Sequence, residues 1–170
     1  MTNDQLNERL TRLKNGDKSA LEDIYNELST PIFTIALRIT RNRPLAEEAT
    51  QDVFVKLFRS PPEKTLSNPR AYIFKAARNA ALDALKNNPS HENTDDHTEI
   101  PAPQSGDHSD VAEALASLPE EQRSIVTLHI NAGLKFREIA EVTGTPLGTV
   151  LWRYNKAISK LRDILNGGTL

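Results

Sequence analysis

Residues 87–110 carry six carboxylates and three prolines but no Lys or Arg and no Phe, Trp or Tyr. Such a stretch cannot bury enough apolar surface to offset the entropy lost on ordering it, so whatever folds must do so on either side. The aromatic residues agree. Six lie between Tyr25 and Phe74, three between Phe136 and Tyr154, and none in the interval between those groups. Two separate cores are expected, over 1–86 and 111–170, joined by a flexible acidic linker over 87–110.

Charge follows the same division. Residues 1–86 hold 14 basic and 11 acidic groups, 87–110 none and six, and 111–170 seven and six, which gives +3, −6 and +1 within a net charge of −2. A protein's field steers by where its charge sits, so the slightly acidic total does not exclude nucleic acid. The absence of Cys excludes disulfides, thiolate metal sites, iron–sulfur clusters and a cysteine nucleophile, and suits a reducing cytoplasm. No apolar run approaches the roughly 20 residues of a membrane span. The opening Met1-Thr2-Asn3-Asp4-Gln5 lacks the basic-then-apolar order of a signal peptide. A cytoplasmic location without membrane insertion is expected.

Both halves read as helices, so the fold class is all-α. Asp17 suits the cap of a helix with Leu21, Ile24, Tyr25 and Leu28 on its inner face, and Pro31 suits the first turn of a second helix with Ile32, Ile35, Ala36 and Ile39 inside. Pro44 opens a third, with Leu45, Ala49, Val53 and Leu57 at helical spacing, which Pro61-Pro62 stops. Asn68-Pro69 starts a fourth that runs to about Lys86, with Tyr72, Ile73, Ala76 and Ala80 inside. In the second half, Asp110 and Glu113 have capping-box spacing ahead of Val111, Ala114, Leu115 and Leu118. Pro119 begins a helix that Gly133 ends. A short helix from Lys135 to Val142, the turn Thr143-Gly144-Thr145 and a long helix entered at Pro146 make the helix-turn-helix order.

In the long helix, Leu147, Val150, Tyr154, Ala157 and Leu161 step by three and four as one buried stripe. Thr149, Trp152, Arg153, Lys156 and Lys160 fall on the other side. That cationic face is either simply solvated or enters a major groove, where Arg or Lys donates to guanine edges. Trp152 either meets a partner or folds onto the first helix of its own half. Lys135 and Arg137, at the start of the preceding helix, suit phosphates.

These residues resemble the extracytoplasmic-function group of bacterial sigma-70-type sigma factors. Leu118-Pro119-Glu120-Glu121-Gln122-Arg123, Gly133-Leu134-Lys135-Phe136-Arg137-Glu138-Ile139-Ala140 and Gly148-Thr149-Val150 with Arg153, Ala157 and Leu161-Arg162 look like sigma region 4. Ala46-Glu47-Glu48, Gln51-Asp52-Val53-Phe54, Ala71-Tyr72-Ile73, Ala77-Arg78-Asn79 and Asp83 are similar to region 2. The resemblance implies a region 2 helical bundle over 1–86 and a region 4 helix-turn-helix domain over 111–170. It implies an alternative sigma factor that binds core RNA polymerase, at its beta-prime clamp and beta flap, and directs it to promoter DNA, with an anti-sigma factor as a further partner. Glu47, Glu48, Gln51 and Asp52, with Phe54 as an apolar anchor, would dock on the clamp. Tyr72, Lys75, Arg78, Asn79 and Lys86 would meet the unpaired strand of the minus-ten element. Lys135, Arg137, Thr149, Trp152, Arg153 and Lys156 would engage the minus-thirty-five element.

The chain departs from the family pattern in three places. Leu45 stands where members often carry Asp, Ala84-Leu85-Lys86-Asn87-Asn88 lacks the usual Arg, and Trp152 replaces a small polar residue. The acidic linker is either a solvated tether or a mimic of a phosphate chain in a basic channel. His91, His97 and His108 have no metal-ligand spacing, and His129, between Leu128 and Ile130, reads as a half-buried helix residue. Neither metal nor cofactor is expected. Gly16 and Gly106 are the only glycines before 133, which leaves no Gly-rich phosphate loop, and no nucleophile–base pair is legible, so catalysis is not expected. The rival reading is a polymerase-independent helix-turn-helix regulator. A decoy that occupies sigma-binding sites without initiating is the third.

Overall fold

The computed structural model describes residues 1–88 and 108–167. The linker expected at 87–110, with His91 and His97, lies almost wholly outside the described residues. Among the described residues there are eight α-helices and no strand.

No expectation above covers α1 (Asn3–Lys14), yet its signal is present in the sequence. Thr2 Oγ1 accepts from the Gln5 N–H and Gln5 Oε1 accepts from the Thr2 N–H, a reciprocal capping box. Leu6, Leu10 and Leu13, at helical spacing, are buried behind it. Asn7 then ties the 60–68 loop to this helix, its amide donating to Leu66 O (2.8 Å) and accepting from Leu66 N (3.1 Å).

Pro31 does not divide two helices. α2 is one continuous helix, Ser19–Thr40, with the proline inside it. An interior proline removes the hydrogen bond to the carbonyl four residues back and costs about 3 kcal/mol. Ile24, Leu28, Ile32, Ile35, Ala36 and Ile39 form a single buried stripe across that point. At about 1.5–3 kcal/mol per large apolar side chain, keeping the stripe in register outweighs the lost bond. Asp17 is not the expected cap, since Lys18 holds that position; one residue earlier, its carboxylate still supports the start by accepting from Ser19 N (3.0 Å) and Ser19 Oγ (2.6 Å). Tyr25, expected inside, is half-exposed. Arg41 ends the helix in the left-handed region at φ 52°.

α3 (Arg43–Arg59) and α4 (Pro69–Asn87) begin alike. Asn42 Oδ1 accepts from Leu45 N (3.0 Å) and Asn68 Oδ1 from Ala71 N (3.2 Å), each with a proline in the first turn. α2, α3 and α4 pack on one another around Ile24, Leu28, Ile32, Val53, Ile73 and Phe74, and α1 covers α2 and α4.

The second half comprises α5 (His108–Ala116), α6 (Glu120–Ile130), α7 (Phe136–Thr143) and α8 (Leu147–Leu165). α5 starts two residues before Asp110, which therefore lies in the first turn and is not the expected cap; there its charge still complements the helix dipole. Gly133 (φ 68°) lets Leu134 N reach back to Leu128 O (3.1 Å), and Gly144 (φ 64°) turns α7 into α8. His129 Nδ1–H donates to Leu134 O (2.8 Å) and the ring stacks on Phe136 at 4.4 Å, and both rings meet Tyr154 edge-on. These three rings tie α6, the start of α7 and α8 together.

The expectation of two separate cores is overturned. Ile125, Leu128, Ala132, Leu134, Ile139, Val142 and Val150 belong to the same buried cluster as Ile24, Ile73 and Phe74. α6 packs against α2, and α7 against α4. Only Ala114, Leu115, Leu118, Val126, Ala157 and Leu161 form a second, smaller cluster. Apolar stripes carry no address, so counting them along the chain cannot tell which half covers which.

Phe74→Ala is expected to lower unfolding stability by about 3–5 kcal/mol. Because the core is continuous, denaturation followed by Trp152 fluorescence in the other half should shift as far as helicity followed by circular dichroism. A separate core would leave the Trp152 transition in place. The Asp17 carboxyl is held below its usual range, first by the Ser19 hydroxyl and then by Arg12. Its contribution to stability is complete above the ordinary carboxylate range and lost as pH falls through the lowered value. Stability of Asp17→Asn should therefore vary less with pH below about 4 than that of the parent, measured by urea denaturation.

Candidate nucleic-acid and protein-docking surfaces

α3 displays Glu47, Glu48, Gln51 and Asp52 to solvent. Glu47 is engaged by Arg43 Nε at 3.0 Å, one turn back. Phe54, expected as an apolar anchor, borders the groove between α2 and α3 but is largely covered. It is 7% exposed, turned into the core with its ring edge-on to Tyr25 at 4.9 Å. One residue is about 100° on a helix, and that rotation moves Phe54 onto the buried side with Thr50, Val53 and Leu57. The stripe that continues from Glu48 and Gln51 is Val55 and Phe58, and Phe58 is 49% exposed. With Tyr25 and Phe33 from α2 these residues line an open groove of about 1150 Å³, with Lys18 Nζ 5.9 Å from the Phe58 ring centre. The rim mixes Glu47 and Glu48 with Arg43 and Arg59 over an aromatic floor; with Glu47 paired to Arg43, Glu48 remains to attract a cation on a helix that also brings apolar side chains.

Along α4, Tyr72, Lys75, Asn79 and Lys86 recur at three, four and seven residues and share one side. Lys75, Asn79 and Lys86 are exposed and Tyr72 half-buried. Arg78 is half-buried as well, and its Nε is enclosed without a hydrogen-bond partner. Asn79 lines a cleft of about 210 Å³ with Glu48, Asp52, Lys56 and Asp83. Three carboxylates against one ammonium there repel phosphate, so the Tyr72–Lys75–Arg78 end of α4 is the favourable end for a nucleic-acid strand.

The turn between α7 and α8 aligns the third surface. Lys135 and Arg137 are exposed at the entry to α7, where unpaired backbone N–H groups also favour an anion. On α8, Thr149 is half-buried, while Trp152 and Lys156 stand clear of the protein. Trp152 does not fold back onto α5. It is 59% exposed, and Lys156 Nζ lies 4.7 Å from the centre of its ring. Arg153 leans the other way, its guanidinium 3.3 Å from Glu121 Oε2 on α6.

Between the halves lies a group of arginines, of which only Arg123 stands in a family motif and none was expected to act together with the others. Arg38 Nε and Nη1 are enclosed without partners. Arg123 is 7% exposed, and its Nη1 reaches only Ala116 O and Leu118 O, each at 3.4 Å. Burial lowers the pKa of both, and for Arg123 the charges of Arg41 and Arg38 add to the effect against Glu120. Nearby, Arg70 closes the seam, donating to Ala132 O at 3.2 Å and Met1 O at 2.6 Å. Among the described residues no group of His, Cys, Asp and Glu is arranged to hold a metal ion, and no helix is long and apolar enough to cross a membrane.

Residues 24–89 match the sequence model described as Sigma-70 region 2, and residues 108–161 that described as Sigma-70, region 4. The chain is 28% identical over 165 residues to the ECF RNA polymerase sigma factor SigE of Mycolicibacterium smegmatis, covering 88% of this chain and 64% of the relative. It is 25% identical over 177 residues to SigK of Mycobacterium ulcerans, covering 96% of this chain and 95% of that one. The sigma factor RpoE of Bartonella quintana, solved with the anti-sigma factor NepR, shares the fold with a TM-score of 0.70 at 23% identity, covering 87% of this chain and 99% of that one.

Charged hydrogen bonds such as those of Arg70 contribute about 1.5–3 kcal/mol. Arg70→Ala should loosen the seam and raise the radius of gyration by small-angle scattering above the roughly 15 Å of a compact chain this long.

Proposed function

The chain belongs to the extracytoplasmic-function group of sigma-70-type sigma factors, and from that premise we propose that it brings core RNA polymerase to a particular set of promoters in the cytoplasm. Region 2 would occupy 1–86 and region 4 111–170, with 87–110 as tether. Sigma factors recognise; the phosphodiester chemistry belongs to the polymerase. The groove between α2 and α3 carries the proposal furthest. Its acids Glu47 and Glu48, with Asp52 exposed farther around the same helix, fit a basic coiled coil such as the beta-prime clamp, and Tyr25, Val55 and Phe58 would join Phe54 as apolar anchors. The beta flap would receive the second half. Tyr72, Lys75 and Arg78 would hold the unpaired minus-ten strand by stacking and charge, with its backbone kept away from the carboxylate-lined cleft at Asn79. α8 would lie in the major groove at the minus-thirty-five element, with Lys135 and Arg137 on phosphates.

The described arrangement is too small to do both at once. The two elements lie about 25 base pairs, roughly 85 Å, apart, whereas a compact chain of this length is about 40 Å across. Twenty backbone steps from Asn88 to His108 allow a separation of about 70 Å. The halves therefore part on the polymerase. An anti-sigma factor that favours the closed arrangement would keep the protein silent.

Transcription from a cognate promoter with purified core polymerase tests the proposal. Product that depends on the added chain is expected, whereas duplex binding without polymerase would make it an independent regulator, and core binding without product a decoy. Asp52→Ala should weaken core affinity by about 1 kcal/mol and Phe58→Ala by about 2 kcal/mol or more. Core affinity unchanged in both variants would remove the docking face from consideration.

A further inference from the structure

Resting on the reading of α8 as the promoter-reading helix, we propose that Trp152 and Lys156 choose the bases of the upstream element, Trp152 by packing on the 5-methyl group of a thymine and Lys156 by donating to guanine, while Arg153 positions the helix. Three observations lead there. Trp152 is the most exposed aromatic side chain among the described residues, more so than Tyr25 or Phe58. A surface indole presents a large, rigid apolar area with one polar tip, the kind of side chain that packs on an apolar group of a partner. Its neighbour one turn along, Lys156, holds its ammonium 4.7 Å above the ring, a cation–π contact that restricts both side chains before DNA arrives and so lessens the ordering cost of binding. Arg153, about 100° around the helix from Trp152, is drawn to Glu121 on α6.

The chemistry of the major groove decides what such a pair can read. Indole offers one N–H donor and no acceptor, so most of its surface is matched only by an apolar group. The thymine methyl is the one apolar group that the base edges present there. Cytosine lacks it, and burial of one methyl-sized group gives about fourfold discrimination. The ammonium is a donor without an acceptor, which suits the O6 and N7 of guanine and rejects the amino groups of adenine and cytosine. Residues one turn apart are separated by about 6 Å along the helix, close to two base steps of 3.4 Å. The element should therefore hold a thymine with a guanine within about two steps. The exposed Glu121 partner leaves Arg153 free to exchange its ion pair for a phosphate, a contact that carries no sequence information.

The test uses holoenzyme reconstituted from core polymerase and the full chain, challenged with promoters randomised in the upstream element, the bound fraction being sequenced. The parent should enrich thymine over cytosine about fourfold at one position and guanine within two steps of it. Trp152→Ala should lose the thymine preference and keep the guanine, Trp152→Phe should retain both, and Lys156→Met should lose the guanine. Arg153→Ala should lower occupancy evenly and reduce the salt slope by about one. A probe with deoxyuridine in place of the selected thymidine isolates the methyl group, and should bind the parent about fourfold more weakly and Trp152→Ala no differently. Equal binding of the two probes by the parent, or a base profile altered by Arg153→Ala alone, overturns the proposal while leaving α8 a reading helix. Absence of any upstream preference in the parent removes that reading itself.

Discussion

The seam between the two halves is where the largest opposing forces in this molecule meet. α6 and α7 lay Ile125, Leu128, Leu134 and Ile139 onto the core that α2, α3 and α4 build, and that burial favours the closed form. The same seam encloses Arg38 and Arg123 with too few partners. A guanidinium cannot escape the penalty by losing its proton, so Arg38 bears a desolvation cost, and Arg123 bears desolvation together with repulsion from Arg41 and Arg38 that Glu120 only partly offsets. A seam made only of leucine and isoleucine would hold shut. This one gains from area and loses to charge, which would lower the cost of separating the two halves.

Surfaces follow from helix register more than from composition. On α3, Phe54 and Val55 are neighbours in the chain and both border the groove, yet Phe54 is covered while Val55 stands exposed beside Phe58. On α8, the consecutive Trp152 and Arg153 diverge, one toward solvent and Lys156, the other toward Glu121. In both cases the buried stripe sets the rotation: Val53 and Leu57 fix α3, Val150, Ala157 and Leu161 fix α8. A change in either core would turn the working surface with it.

Electrostatics distinguishes the two ends of α4 in the same indirect manner. Asn79 and Lys86 look equivalent to Tyr72 and Lys75 when only spacing is considered. The carboxylates of Glu48 and Asp52, brought from α3, make the Asn79 cleft hostile to phosphate and direct a nucleic-acid strand toward the other end.

Much was legible in the chain itself. Asn-Pro starts, Gly133, Gly144 and the prolines before α6 and α8 are local chemistry, and local chemistry is decided within a few residues, so the helices of the second half and α3 and α4 stand close to where spacing puts them. The capping box of α1 was equally local and open to the same reasoning. Pro31 misled because its cost is local while the stripe that overrides it is stabilised by α3 and α4, distant in sequence. Phe54, the single continuous core, the partnerless Arg38 and the Arg153–Glu121 pair belong to that second kind. Hydrophobic pattern says that a face will be covered, and only the packed chain decides by what, because burial is non-directional and any apolar stripe satisfies another.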